Sequence, residues 1–328
     1  MTAYEELNNI LITSAGKRVV LVEIFQKTVR ELGLDCKVYA SDMEPAMAPA
    51  CRVADGCFAV PRCTSEDYMQ VLQTICLEHQ VRIIIPTIDT ELAVLSANRD
   101  IFAKLGICIL VPDYEFVLMC RDKRRTADFF LQHGINIPEL RDRQHPSFPM
   151  FVKPYDGSGS INTYVIRNKE ELTEKLLADP KFIFMEYIDR TEYKEYTVDM
   201  YYGADNRVKS IVPRERLSVR AGEINKGITR KNDIVGFLKE RLGELKGVRG
   251  SVCLQLFYRE RDNDIKGIEI NPRFGGGYPL SYYAKANFAE YIIREYLMGE
   301  AINYSDDWLD HTLMLRYDND VIVYDAEA

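Results

Sequence analysis

The chain opens with short apolar runs separated by stretches of helical period. Asn9–Thr13 (NILIT) predicts a strand, Lys17–Leu32 a helix closed by Gly33, and Cys36–Ser41 a second strand. Glu66–His79 predicts a helix, Val81–Pro86 a third strand, Glu91–Leu105 a helix ended by Gly106, and Ile107–Val111 another strand. Runs of Ile and Val without alternation suit parallel strands covered on both faces. The first third is therefore expected to be a doubly wound α/β unit, with Pro112 marking its end.

Beyond Pro112 the pattern changes. One or two helices over about Tyr114–His133 stop at Gly134 and Pro138, and the polar stretch Arg141–Pro149 predicts a loop. Strands then dominate: Met150–Lys153, Asn162–Ile166, Phe182–Tyr187, Tyr193–Tyr202 and Val208–Pro213. Gly250–Arg259 and Asp264–Ile270 follow, joined by the polar turn Glu260–Asn263. Helices are expected at about Glu170–Ala178, Asp233–Glu244 and Pro279–Met298. This part is α+β, with no internal repeat.

Composition narrows the function classes. The 328 residues suffice for two or three compact units, with 47% apolar and 28% charged residues. A net charge of -8 argues against a nucleic-acid surface. No apolar run approaches the roughly 20 residues that span a bilayer, and the acidic, polar start MTAYEELNN is unlike a secretory signal. Among the eight cysteines there is no CxxC pair, and the four histidines are scattered. Reduced, buried thiols in a cytoplasmic protein are the expectation, rather than disulfides or zinc.

Two glycine-containing segments invite a nucleotide reading that their detail refuses. Ser14-Ala15-Gly16-Lys17-Arg18 lacks the leading glycine of a P-loop and has Arg18 where Ser or Thr should meet magnesium, so an ordinary strand-to-helix turn is expected. Gly275-Gly276-Gly277 is not the dinucleotide fingerprint and follows the wrong strand. More telling is Phe151–Ser160 (FVKPYDGSGS). A lysine ending an apolar strand wants an anion, and the Gly-Ser-Gly-Ser run after it can turn backbone N–H groups toward phosphate.

The strongest cluster is Gly267–Arg273 (GIEINPR). Alternation puts Glu269 and Asn271 on one strand face, with Gln255 on the preceding strand across the hairpin. Oxygen donors so arranged suit magnesium, which takes one or two protein oxygens plus phosphate. Arg273 adds a bidentate fork for an anionic group.

Cys120–Arg125 (CRDKRR), Phe151–Ser160, Met185–Asp199 (MEYIDRTEYKEYTVD) and Glu269–Gly277 (EINPRFGGG) stand in the order found in ATP-grasp proteins, and the chain resembles the branch similar to the large subunit of carbamoyl-phosphate synthase. The resemblance covers nearly the whole chain. It implies a pre-ATP-grasp Rossmann-like domain over 1–112, with a doubly wound parallel sheet. An α+β ATP-grasp fold of two subdomains follows, 113–184 and 185–328, the second with the metal site. It further implies that Lys123 and Lys153 contact ATP phosphates and that Gly157, Ser158 and Gly159 lie in the phosphate-covering loop. Glu186, Tyr187 and Ile188 would form the adenine linker, and Glu195 would take the ribose. Gln255, Glu269 and Asn271 would hold Mg²⁺, or Mn²⁺ in its place. Arg273, and less securely Arg220, would act beside the transferred phosphoryl group.

Lysines stand at 123 and 153 where carbamoyl-phosphate synthase has arginines, and the chain is half that subunit's length, so carbamoyl phosphate synthesis is not expected. The expected activity is ATP-dependent ligation of a small-molecule carboxylate to an amine through an acyl phosphate. The alternatives are a non-catalytic ATP-binding subunit and a carboxylase-type enzyme. No nucleic acid or membrane partner is expected, and a homodimer is compatible with the reading. Because ligands gather at the carboxyl ends of parallel strands, Ser14, Asp42 and Thr87–Glu91 should edge the substrate end. There Asp89 and Glu91 are candidates to hold an amino group opposite Arg273, unless Thr90 and Glu91 serve only to open the following helix, where an acidic first turn is stabilising.

Overall fold

The structure is a computed structural model that describes residues 8–157, 161–220 and 222–324. Five parallel strands open it: β1 (Asn9–Thr13), β2 (Val38–Asp42), β3 (Cys57–Ala59), β4 (Val81–Pro86) and β5 (Cys108–Ile109). Their order, β3-β2-β1-β4-β5, reverses direction between β1 and β4. Ile10, Ile12, Ile83 and Ile85 pack on one face against the helix Val19–Glu31, while Leu11, Ile84 and Leu72 pack on the other. Burial on both faces is why these strands read as unbroken apolar runs.

Three antiparallel strands form a small sheet, β6 (Met150–Pro154), β7 (Tyr164–Ile166) and β8 (Phe182–Glu186), ordered β7-β6-β8. Its core of Met150, Val152, Ile166, Leu176, Phe182 and Phe184 is separate from the others. A six-stranded sheet carries β9 (Lys194–Tyr202), β10 (Val208–Arg220), β11 (Glu223–Thr229), β12 (Gly250–Arg259), β13 (Asp264–Asn271) and β14 (Leu313–Leu315). Their order is β13-β12-β9-β10-β11-β14.

Four expectations need correction. The helix over Glu91–Leu105 is two, Leu92–Ala97 and Arg99–Lys104, parting where Asn98 turns its side-chain amide onto the Val94 carbonyl. The helix over Pro279–Met298 is also two, Tyr278–Tyr283 and Phe288–Tyr296, because Lys285 takes a φ of 77°. The strand from Val208 runs on to Arg220 and pairs with Glu223–Thr229, whose polar ENKGT composition hides a strand. Finally, Cys51 and Cys57 are joined as a disulfide across the turn containing Gly56, with Cα atoms 5.2 Å apart, so only six thiols are free. Spacing alone did not reveal that the helix Pro49–Val53 folds back onto β3.

Tyr201, Val212, Phe274, Tyr278, Phe288 and Ile292 share one core with the first sheet and its helix Val19–Glu31. The N-terminal unit is thereby packed firmly against the large sheet, while the small sheet stands over them on its own core. No helix among the described residues is long and apolar enough to cross a membrane.

Candidate active site

A cavity of about 550 Å³ lies between the small sheet, the large sheet and the end of the parallel sheet, a volume in the range of small-molecule sites. Lysines and arginines from separate elements meet there, Lys123, Lys153 and Arg273 among them, and each of these three is placed by local chemistry.

Asp122 caps the helix Lys123–Gln132 by accepting the Arg124 N–H at 2.9 Å. The next residue, Lys123, is tied to the small sheet: its N–H donates to the Tyr155 carbonyl at 2.9 Å, and its ammonium donates to the Gly157 carbonyl. The helix lies directly on β13 because Gly267 has no side chain; a Cβ there would stand 2.6 Å from the Phe130 ring. That approach brings the Lys123 ammonium within 3.6 Å of Glu269.

Lys153, on β6, is 6% exposed. Its ammonium makes no hydrogen bond or ion pair with any described residue. Burial pushes its pKa down to about 8 against the pull of Glu269, and Lys123 pushes it further.

The hairpin of β12 and β13 delivers the oxygen donors. Register sets Gln255 opposite Glu269 and Cys253 opposite Asn271, with a bulge between Gln255 and Leu256. The amides of Gln255 and Asn271 both donate to one Glu269 oxygen, at 2.8 and 3.1 Å. The second Glu269 carboxylate oxygen is the one 3.6 Å from the Lys123 ammonium. Among the described residues no group of three His, Cys, Asp or Glu side chains is built for a metal. One carboxylate with two amides fits a magnesium ion whose remaining ligands come from phosphate and water; it would not suit zinc. Arg273, just beyond, donates to the Asp89 carboxylate at 2.7 Å and so joins this strand to the parallel sheet.

Phe151, Val165, Met185, Ile188 and Ile268 are apolar residues of the same lining, the first three side by side across the small sheet. Glu186 belongs to this lining too, 2.7 Å from the Lys266 ammonium. Against the upward push of burial, Lys266 and the Glu139 N–H hold its carboxyl below the ordinary value. Tyr187 lines the same wall. Glu195 is held by Arg216 at 3.1 Å and Arg190 at 3.0 Å.

The expected residues Lys123, Lys153, Gly157, Glu186, Tyr187, Ile188, Glu195, Gln255, Glu269, Asn271 and Arg273 thus line one cavity. Ser158 and Gly159 lie outside the described residues. Arg220 is a correction. It is 68% exposed and pairs with Asp318 at 3.0 Å, away from the cavity. Irregular pairing around Ser218 breaks the alternation that would have carried the arginine face of β10 onward. The inward arginines are instead Arg214 and Arg216.

Glu91 is a second correction. It is fully buried and accepts from the Thr87 N–H, Ser14 Oγ and Tyr68 Oη at 2.9, 2.9 and 3.1 Å. It staples the loop after β4 rather than meeting a ligand, and Ser14 is spent on it. Asp42 accepts the Gly16 N–H at 3.0 Å. Of that edge, Asp89 lines the cavity, together with Arg18, which sequence reasoning set aside. Arg214, Arg216 and Glu223 were also missed; charged residues alternating along a strand are the signal that could have found the first two.

Comparison with known proteins agrees with this architecture. Residues 10–110 match the family model described as the PylC-like N-terminal domain, and residues 178–314 match that of the ATP-grasp domain in the biosynthetic pathway with Ter operon. The chain is thus similar to the PylC-like N-terminal domain over its first third and to an ATP-grasp domain over much of its second half. Over 82 residues it is 29% identical to the 3-methyl-D-ornithine–L-lysine ligase of Methanosarcina mazei, a stretch that is 25% of this chain and 20% of that enzyme. Biotin carboxylase from Campylobacter jejuni shares the fold, with a TM-score of 0.71 at 16% identity, over 94% of this chain and 75% of the other. The L-amino acid ligase of Bacillus licheniformis does so with a TM-score of 0.64 at 19% identity, over 88% and 74%. An ADP complex of N5-carboxyaminoimidazole synthetase from Staphylococcus aureus gives 0.68 at 16% identity, over 94% and 80%.

Proposed function

We propose that this protein is an ATP-dependent ligase that joins a small carboxylic acid to an amine through an acyl phosphate. The observation that carries the reading is Lys153, a buried ammonium without a partner among the described residues, within reach of the Glu269 charge across one cavity. A charge so placed needs an anion. Together with the apolar lining from Phe151, Val165, Met185, Ile188 and Ile268, this supports a nucleotide lying along the cavity with its phosphates between Lys123, Lys153 and Glu269.

In the proposed reaction a carboxylate oxygen of the acid attacks the γ-phosphorus, the bond to the β-bridging oxygen breaks, and ADP leaves. The amine nitrogen then attacks the acyl carbon, the C–O bond to phosphate breaks, and the nitrogen gives up its proton. Protein groups contribute position and charge rather than covalent chemistry. Lys123 and Lys153 draw negative charge from the phosphates, and Arg273 offers its remaining donors to the transferred group. Gln255, Glu269 and Asn271 would hold Mg²⁺, or Mn²⁺ through the same oxygens, and the bound ion supplies charge neutralisation across the phosphates. The domain division at about 112 and 184 belongs to this reading, with the 113–184 segment as the part that covers the nucleotide.

The test is phosphate release from MgATP in the presence of amino acids and small acids, singly and in pairs. Release that needs two organic substrates supports ligation; nucleotide binding without release under any pair would make the chain a binding subunit. MgATP should also raise the wild-type melting temperature by mass action, and much less for Lys153→Ala. An equal shift in both would remove Lys153 from the phosphate site.

Lys153 also sets a pH dependence. Its folded pKa of about 8 lies below the ordinary 10.5, so the folded protein loses this proton first. Its charge therefore costs stability below about pH 8, and that cost is relieved as pH rises toward 10.5. Nucleotide binding has the opposite sense, because it needs the ammonium. The Kd for MgATP should rise between pH 7 and 9, and Lys153→Arg should flatten the curve. A pH-independent Kd by calorimetry would contradict the assignment.

A further inference from the structure

The Ser14–Arg18 turn brings a cation into the cavity for which the reaction above has no use. Ser14 and Gly16 take positive φ values of 49° and 46°, and Asp42 occupies the Gly16 N–H. The anion that a helix N-terminus favours is thus supplied from within. The Arg18 guanidinium is not satisfied in this way. Its side chain is only 19% exposed, and its nearest carboxylate oxygen, on Glu223, is 3.6 Å away. That carboxylate is already held by Arg316 at 3.0 Å and Lys17 at 3.5 Å. The guanidinium donates no hydrogen bond to any described residue, and burial pulls its pKa below the ordinary arginine value. A sheltered guanidinium with five unused donors is costly unless a ligand takes them.

Gly276 explains how this corner is shaped. A Cβ there would stand 2.6 Å from Arg18 Nη1 and 2.7 Å from the Glu223 carboxyl carbon. Backbone rather than side chain therefore backs the guanidinium, and its open side faces the cavity. Asp89 lines the cavity too, near enough for its charge to act on Arg18. It gives Oδ2 to Arg273 at 2.7 Å, while Oδ1 accepts no hydrogen bond from a described residue. One corner thus offers a cationic fork that makes no hydrogen bond and a carboxylate oxygen that accepts none among the described residues, the complement of a small zwitterion.

We propose that Arg18 binds the carboxylate of an amino-acid substrate whose ammonium faces Asp89. The assignment deepens the ligase reading and rests on it for its catalytic consequence. Arg18 is here a specificity residue, acting on an organic substrate and leaving the nucleotide alone. Guanidinium pairs with carboxylate through two parallel hydrogen bonds, which a lysine at this position would not reproduce.

The experiment compares wild type, Arg18→Ala and Arg18→Lys. Each is saturated with MgATP and titrated with an equimolar mixture of the twenty proteinogenic L-amino acids, with phosphate release and melting temperature as readouts. The wild type should respond to the mixture but not to the corresponding amino-acid amides, which lack the carboxylate. Arg18→Ala should keep the MgATP-induced thermal shift but need at least tenfold more amino acid for half-maximal response, and Arg18→Lys should fall between. Unchanged half-saturation in a folded Arg18→Ala or Arg18→Lys protein overturns the proposal. So does a wild type that shows the MgATP shift yet ignores the mixture, which leaves the nucleotide site standing. Loss of the MgATP shift in the wild type itself would instead defeat the ligase reading.

Discussion

Glu269→Gln should lower turnover at saturating MgATP by at least tenfold, about 1.4 kcal/mol of barrier. The substitution keeps the side chain's shape and removes its charge. Glu269 is the single carboxylate in the knot, and it accepts N–H bonds from both Gln255 and Asn271. A glutamine there presents a neutral amide to the phosphates and disturbs both donors at once. It also leaves Lys123, 3.6 Å away, without its nearest counter-charge. The melting temperature without nucleotide should change little, because the Glu269 side chain is 23% exposed and water can reach it. Phosphate release measured over a Mg²⁺ titration checks the claim; wild-type turnover at saturating Mg²⁺ would remove Glu269 from the metal site.

Asp199→Ala should produce the largest loss of stability, roughly 3–5 kcal/mol, the usual cost of stranding a buried charge. Arg214 and Asp199 are both wholly inaccessible to solvent, and the guanidinium meets the carboxylate through two contacts of 2.8 Å. Ser281 adds a hydrogen bond to the carboxylate at 2.6 Å. Gly277 lies directly against the pair, since a Cβ there would be 2.2 Å from Arg214 Nη1. Removing the carboxylate therefore leaves a guanidinium with nowhere to go. A melting-temperature drop on the order of 10 °C is expected, followed by the fluorescence of Trp308, the protein's single tryptophan, which is buried in the core shared by the two sheets. Asp318→Ala is the contrast. It breaks the exposed Arg220–Asp318 pair and should leave the melting temperature where it is, because solvated ion pairs contribute little. Equal effects from the two substitutions would mean that the Arg214–Asp199 pair is not the anchor its burial indicates.

The sequence by itself determined the parallel sheet, because strands buried on both faces must be apolar at every position, as NILIT and VRIIIP are. It also determined the Glu269–Asn271 face, since alternation along a strand is a local rule, and the antiparallel partner Gln255 followed from a short hairpin. Lysine at the end of the apolar run FVKP was likewise legible, as an isolated charge at a strand end needs an anion.

Only the tertiary structure decided the fates of four charged residues whose surroundings come from distant segments. Arg18 and Glu91 both follow parallel strands, yet one faces the cavity and the other is fully buried under Ser14, Tyr68 and Thr87. Arg214 and Arg220 lie on one strand, yet one is locked against Asp199 and the other is carried to the surface past irregular pairing. The Cys51–Cys57 pairing belongs with them. Local periodicity fixes which way a side chain points from its own backbone. Whether it then meets a cavity, a counter-charge or water depends on which remote elements pack there.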